Sequence, residues 1–176
     1  MRKLRWSAAV SLDLYLAGPG EAMDWLAWSD DAAAISGESW RGVDTLLMGR
    51  KTYEFAARSG GGGDGDAGTS KIRTFIFSST ISEAPAGATL VREDSPGFVR
   101  ALKAEDGGDI VCMGGGALAS SLIEAGLVDE IGLNLHPVLL GAGTPFFGPL
   151  ARRVELALVE ARPIAKDCVF LRYRLA

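Results

Sequence analysis

A run of three glycines, Gly114, Gly115 and Gly116, is the strongest candidate binding motif in the sequence. It follows the apolar segment 109–113, which predicts a strand, and precedes the segment 117–125, whose apolar residues recur at helical spacing. Bare backbone at this junction lets a diphosphate approach the unpaired N–H groups at the start of a helix. The spacing also fits the loose dinucleotide pattern G-x-G-x-x-A. Because glycine turns often join a strand to a helix, a turn that serves packing alone is the alternative.

A second predicted junction between a strand and a helix carries two cations and a hydroxyl group. The apolar segment 45–48 predicts a strand that ends at Gly49, and Arg50, Lys51 and Thr52 then occupy the first helical turn. Cations at this end of a helix oppose its dipole, so local stability does not explain them, whereas a bound anion would. The alternative is a pair of solvated charges on a helix surface.

A third predicted strand, 74–77, runs into the hydroxyl residues Ser78, Ser79 and Thr80. In open α/β sheets, ligands bind beyond the carboxyl ends of the strands. Three strand ends that each offer groups suited to phosphate form a more specific pattern than any one of them. Together they predict a site for a phosphorylated small molecule.

The elements that must position these motifs alternate between strands and helices and end in a hairpin. The first strand is predicted at 4–11, and the first helix at 29–40 with Ser29 or the next residue as its N-cap. The last two strands are predicted at 154–159 and 169–175. This order predicts a three-layer α/β architecture, with a mostly parallel sheet and an antiparallel C-terminal strand.

We expect a single domain over 1–176, in which the glycine-rich tract 59–68 forms a flexible internal loop. The net charge of −4 leaves no basic surface for nucleic acid or for an anionic membrane. No segment approaches the roughly 18 apolar residues of a membrane span, and charges interrupt the apolar N-terminus too early for a signal peptide. A cytoplasmic location is therefore expected, with Cys112 and Cys168 as buried free thiols.

Five motifs together resemble a known family. They are S-L-D at 11–13, L-M-G-R-K-T-Y at 47–53, S-S-T at 78–80, M-G-G-G-A-L at 113–118, and V-D-E-I with P-V-L-L-G-A-G-T-P-F-F at 128–147. The chain resembles the dihydrofolate-reductase-like domains related to the C-terminal reductase domain of the bacterial riboflavin-biosynthesis deaminase/reductase. The resemblance covers nearly the whole chain apart from 59–68, and it implies a dihydrofolate-reductase-like fold that binds NADPH.

The resemblance also implies which residues hold each part of NADPH. For the nicotinamide end they are Ala9, Leu16 and Met113. For the phosphates they are Gly49, Arg50, Lys51 and Thr52, and for the adenosine side Ser78 and Ser79. For the diphosphate they are Gly114, Gly115, Gly116, Ala117 and Leu118.

Two positions depart from the family pattern. Such domains usually carry glycine after the aspartate of the first motif, where this chain has Leu14. Ser79 stands where a basic residue is often found, which leaves Arg50 to recognise the 2′-phosphate of NADPH.

Asp13 is the candidate catalytic residue, because the resemblance puts it near the substrate and the nicotinamide. Its apolar sequence neighbours predict a raised pKa, suited to proton delivery, although a solvated loop carboxylate is the alternative. Asp30 falls near the family's proton-delivering carboxylate, but we expect it to cap a helix. His136 precedes Pro137 at a predicted strand end, and we expect it to serve packing.

These features predict an NADPH-dependent reductase that transfers hydride to a C=N or C=O bond of a small pterin-like or aminopyrimidine substrate. One alternative is the riboflavin-pathway ribosylaminopyrimidine reductase, and another is a nucleotide- or ligand-binding module that has lost its chemistry. We also expect a homodimer, because domains of this resemblance often pair. Phe170 lies on the face opposite Val169 and Leu171, where a second copy would cover it.

Overall fold

An eight-stranded sheet organises the computed structural model, which describes residues 1–58, 72–84 and 86–176. The strands, in chain order, are β1 (Leu4–Ser11), β2 (Tyr15–Ala17), β3 (Val43–Gly49), β4 (Arg73–Phe77), β5 (Ala88–Val91), β6 (Asp109–Met113), β7 (Glu130–His136), β8 (Thr144–Pro145), β9 (Leu156–Ile164) and β10 (Cys168–Leu175). The helices are α1 (Asp30–Trp40), α2 (Arg50–Arg58), α3 (Ser95–Ala104) and α4 (Gly116–Glu124). The predicted loop 59–68 lies outside the described residues.

The strand order in the large sheet is β5-β4-β3-β6-β1-β7-β10-β9, while β2 and β8 form a separate two-stranded ladder. All neighbours in the large sheet are parallel except β10, which runs antiparallel to both β7 and β9. The predicted three-layer α/β class with an antiparallel C-terminal strand is therefore confirmed. In the described residues, no helix is long and apolar enough to cross a membrane.

Aromatic packing fixes the short ladder of β2 and β8 over the central strand β1. Trp6 of β1 is fully buried and stacks on Phe146 with the ring centroids 3.9 Å apart. Phe146 follows β8 directly, and its N–H donates to the carbonyl of Leu14, just before β2. The segment after β1 thus contains a short strand, whose pairing partner comes from a segment about 130 residues away.

Helix starts follow the capping rules with one correction. The side chain of Ser29 accepts a hydrogen bond from the Ala32 N–H and caps α1, so Asp30 is an exposed first-turn residue and the cap predicted for it is wrong. Asp30 still suits this position, since a carboxylate in the first turn complements the helix dipole. Asp94 caps α3 in the same way.

Two further expectations concern the interior. Cys112 and Cys168 are buried free thiols as predicted, and burial raises the pKa of Cys112 to about 12. Phe170, expected on an open face, is only 7 % exposed within its own chain. The guanidinium of Arg162 lies over its ring, 5.9 Å from the centroid. The argument for a dimer from an uncovered Phe170 is therefore wrong.

Candidate functional site

The three predicted strand ends lie side by side at one edge of the sheet. In the register of the parallel pairs, Met48 of β3 is opposite Met113 of β6, and Gly49 is opposite Phe77 of β4. On the other side, β6 pairs with β1. Because all these strands run parallel, their carboxyl ends form one continuous edge, where open α/β sheets bind ligands.

The glycine turn after β6 packs directly on the first turn of α2. Gly114 has φ +99°, and a Cβ built on it would overlap the side chain of Thr52, 2.7 Å from its Cβ. Its carbonyl accepts a hydrogen bond of 3.0 Å from the indole Nε1–H of Trp6. Both the backbone conformation and the contact with Thr52 therefore require glycine at this position. This close contact brings the start of α2 next to the start of α4.

Gly115 serves a different purpose from its neighbours. It is the N-cap residue of α4, has φ −78°, and provides no side-chain cap for the helix amides. A Cβ there would meet only Leu16 Cδ1 at 3.8 Å and Thr144 Cγ2 at 3.9 Å, which are ordinary contacts. Packing does not require glycine at this position. An uncapped helix start next to open backbone fits a diphosphate, so these residues suit NADPH.

Gly116 is fixed by the fold, because a Cβ there would collide with the backbone of Phe147 and Gly148. Of the next two residues, Ala117 is exposed, and Leu118 packs partly buried against the core. A turn that serves packing alone therefore explains why residues 114 and 116 are glycine, but it does not explain the glycine at Gly115.

The residues predicted for the nicotinamide end come from three strands. Leu16 belongs to β2 and contacts the turn at Gly115. Met113, at the end of β6, is exposed, and Ala9 of β1 is half-buried and pairs with Asn134 of β7. Their role with a nicotinamide stays a prediction.

The residues predicted for the phosphates and the adenosine side are partly engaged within the protein. Arg50 Nη1 donates to both carboxylate oxygens of Glu54, at 2.7 and 2.9 Å. This i,i+4 pair gives Arg50 a local partner, so an anion is not needed to explain it, whereas Lys51 is exposed. The hydroxyl of Ser78 accepts hydrogen bonds from the N–H groups that close the following turn, and Ser79 is exposed.

Asp13 accepts hydrogen bonds from Ser11, Leu140 and Gly141. The Ser11 hydroxyl donates to it at 2.6 Å, and the N–H groups of Leu140 and Gly141 donate at 3.1 and 2.8 Å. These bonds stabilise the carboxylate, with that from Ser11 the largest contribution, and they lower the pKa of Asp13. The expected raised pKa is wrong, because the hydrogen bond from Ser11, two residues away, and those from the segment after β7 outweigh desolvation. The catalytic role of Asp13 stays a prediction.

The model of the RibD C-terminal domain family matches residues 2–170 of this chain. The chain belongs to the RibD C-terminal domain family. The predicted dihydrofolate-reductase-like family is thereby confirmed, and the match includes all five motifs.

Similar proteins include one relative in sequence and two in structure. YyaP, an uncharacterized protein of Bacillus subtilis strain 168, is 29 % identical over an alignment of 180 residues. The alignment covers 98 % of this chain and 94 % of YyaP. A putative riboflavin biosynthesis protein from Shewanella sp. PV-4 is 24 % identical, with a TM-score of 0.85 and 99 % of both chains covered. Dihydrofolate reductase from Enterococcus faecalis, solved with NADP(H), is 17 % identical, with a TM-score of 0.70 and coverage of 98 % and 96 %.

The departure from the family pattern at Leu14 places a leucine where the backbone conformation favours glycine. Leu14 has φ +64°, the left-handed conformation that glycine adopts without steric cost. The turn keeps this conformation although a leucine occupies it, at a cost of roughly 1 kcal/mol. The side chain of Leu14 packs against the hydrophobic core.

The sequence analysis missed residues that contact the glycine turn from other parts of the chain. Trp6 fixes the carbonyl of Gly114, and Thr144 lies beside Gly115. A tryptophan within a predicted buried strand indicates packing in the core, but it does not indicate the hydrogen bond from Trp6 to Gly114. The backbone donors of Asp13 gave no signal at all, since any residue carries an N–H group.

Proposed function

We propose that this protein is an NADPH-dependent reductase that transfers hydride to a C=N or C=O bond of a small pterin-like or aminopyrimidine substrate. The observation that carries the proposal is Gly115. It is a glycine at the start of a helix with no side-chain cap, although a Cβ would fit at this position. The family match and the likeness to a reductase solved with NADP(H) support an oxidoreductase.

The protein's own contribution is to bind and orient. When bound, NADPH would supply the hydride. The N–H groups at the start of α4 would hold the diphosphate, and Leu16, whose side chain lies beside Gly115, would contact the nicotinamide end. Reduction of a C=N or C=O bond adds hydride to carbon and a proton to nitrogen or oxygen, and water would supply that proton. Because its pKa is lowered, Asp13 is ionised at neutral pH, and we infer that it anchors the segment at Leu140.

The proposal is tested first by fluorescence titration of the protein with NADPH and then by NADPH oxidation with a panel of pterins and aminopyrimidines. Saturable NADPH binding and turnover of at least one member are expected. NADPH binding without turnover across the panel would favour the ligand-binding module. No NADPH binding at all would overturn the proposal.

The preference for NADPH over NADH is tested separately, because Arg50 is the residue predicted to bind the 2′-phosphate. Arg50→Ala should lose about 1.5–3 kcal/mol of NADPH binding, as expected for a charged hydrogen bond, and little NADH binding. Glu54→Gln is the matched control, since it removes the partner of Arg50 and leaves the guanidinium in place. We expect it to keep or improve NADPH affinity. Equal losses for NADPH and NADH in Arg50→Ala would contradict this role.

A second candidate function is the riboflavin-pathway ribosylaminopyrimidine reductase. The family match and the putative riboflavin biosynthesis protein from Shewanella favour it. A phosphoribosyl-aminopyrimidine in the panel separates the two, because selective turnover of that compound would establish the riboflavin-pathway activity.

A further inference from the structure

A cavity of about 500 Å³ lies at the edge of the sheet opposite the proposed nucleotide site, and it has the size of a small-molecule pocket. Its lining includes Lys3 directly before β1, Asp129 directly before β7, and Arg174 near the end of the antiparallel β10. Ile123, near the end of α4, lines it as well, whereas the glycine turn stands at the start of that helix. The nine residues of α4 span about 13 Å, so the two sites are separate.

Main-chain hydrogen bonds fix the walls of this cavity. The N–H of Leu175 donates to the carbonyl of Asp129 at 3.1 Å, which joins the end of β10 to the start of β7. On another side, the N–H of Ala151 donates to a carboxylate oxygen of Glu124 at 2.6 Å, which joins the segment before β9 to the end of α4. The walls are therefore held in place without a ligand, and a preformed site lowers the entropic cost of binding.

Part of the lining is apolar. Ile123 and Val128 are buried members of the hydrophobic core, and Val154 and Leu175 pack against that core while half-buried. Gly126 also lines the cavity, and a Cβ built on it would meet nothing within 4 Å, so the space beside it is open. A ring or a short hydrocarbon chain placed here would bury apolar surface on both partners.

The rest of the lining is charged, with four cationic and three acidic side chains. Each of the three carboxylates already has a cationic partner. The pairs are Lys3 with Glu130, Arg153 with Glu155, and the buried Lys103 with Asp129. These three acidic side chains therefore do not balance the charge of the other two cations of the lining, Arg152 and Arg174.

Arg152 and Arg174 make no ion pair with any residue in the described part of the chain. Arg152 uses one N–H for a long hydrogen bond of 3.4 Å to the carbonyl of Glu124, at the end of α4. A guanidinium group carries five N–H donors, so both side chains keep donors for a ligand. Two cations that line one cavity repel each other, and an anion bound by both would relieve that repulsion.

We propose that this cavity is a second binding site, which takes a small phosphate monoester with an apolar body. A phosphate monoester carries a charge of about −1.5 to −2 at pH 7, which matches the two unpaired arginines, and guanidinium groups bind its oxygens in a bidentate manner. The apolar body lies against Ile123, Val128 and their neighbours. The site goes beyond the proposed reductase function, since none of these residues belongs to the nucleotide site.

The test is isothermal titration calorimetry of the wild-type protein with 2-naphthyl phosphate, in the presence of excess NADPH to keep the probe out of the nucleotide site. We expect saturable binding at one site per chain. Two control ligands divide the probe into its parts, because 2-naphthol has no charge and inorganic phosphate has no apolar body. Each should bind at least about tenfold more weakly than 2-naphthyl phosphate.

Variants locate the bound probe. Arg152→Gln and Arg174→Gln should each weaken binding of 2-naphthyl phosphate about tenfold, and both should keep the wild-type melting temperature because these side chains are exposed. Arg100→Gln is the matched control, since Arg100 is an exposed residue of α3 outside the cavity and its loss changes the net charge equally. Its affinity should stay within about threefold of wild type.

The inference is overturned if 2-naphthyl phosphate does not bind the wild-type protein, or if either control ligand binds equally well. Unchanged affinity in Arg152→Gln or in Arg174→Gln also overturns it. Failure of the protein to bind NADPH would instead overturn the proposed function, and the two arginine variants would still decide whether the probe binds in this cavity.

Discussion

Gly115 is the residue on which the cofactor assignment depends most directly. Aspartate is favoured at a helix N-cap, and the backbone and space at Gly115 both admit it. Gly115→Asp should therefore fold with stability equal to or above wild type. Its carboxylate would occupy the helix amides and repel a diphosphate, so NADPH affinity should fall about 10- to 100-fold in a fluorescence titration.

Gly115→Ala is the matched control, because its Cβ would make only ordinary contacts with Leu16 and Thr144. We expect its NADPH affinity to stay within about threefold of wild type. Wild-type affinity in a folded Gly115→Asp variant would show that the diphosphate does not meet this helix start.

Asp13 gives a prediction for stability against pH. Its folded pKa lies below its ordinary value of 3.8, so ionised Asp13 stabilises the protein above about pH 4, and this contribution is lost as the pH falls through the folded pKa. Asp13→Asn puts an amide opposite N–H donors and should lower the melting temperature at pH 7. The difference from wild type should shrink below about pH 4 in thermal melts. A difference that is constant from pH 3 to 7 would contradict this account.

Some elements could be predicted from the sequence because their signals are local. The cap Ser29 stands directly before α1, and the strand, the glycines and the helix around Gly114 follow one another along the chain. Strands β2 and β8 could not, since segments of three and two residues become strands only through each other. The backbone donors of Asp13 were missed for the same reason, because Gly141 is 128 residues away, although its largest donor, Ser11, is local.

The contact between the turn at Gly114 and helix α2 can be tested against a glycine of similar conformation. Gly114→Ala combines a left-handed φ with overlap on Thr52, and should cost about 3–4 kcal/mol in urea unfolding. Gly126→Ala, at φ +67° with open space around it, carries only the conformational cost of about 1 kcal/mol. Equal costs for the two variants would show that the turn does not need its close approach to α2.

At the scale of the whole molecule, exposed apolar side chains collect on the outermost strand. Within the described part of the chain, strand β9 pairs only with β10, and its Leu156, Leu158 and Val159 are all exposed. Val159 is the extra residue of a β-bulge, between the pairs that Leu158 and Glu160 make with β10. An edge strand with this surface is open to another chain. We propose that a second copy of the protein covers the exposed side chains of β9. This surface, and not Phe170, is then the basis for a homodimer.

The homodimer predicts a mass near twice the 18.5 kDa of one chain in sedimentation at micromolar concentration. Leu158 is 59 % exposed, so Leu158→Asp should leave the monomer folded but introduce a charge that desolvation in an interface would oppose. This variant should sediment as a monomer. Leu12→Asp is the matched control, because Leu12 is 58 % exposed and lies beyond the end of β1, away from β9. A wild-type monomer would refute the dimer, and a dimer that survives Leu158→Asp would move its interface away from β9.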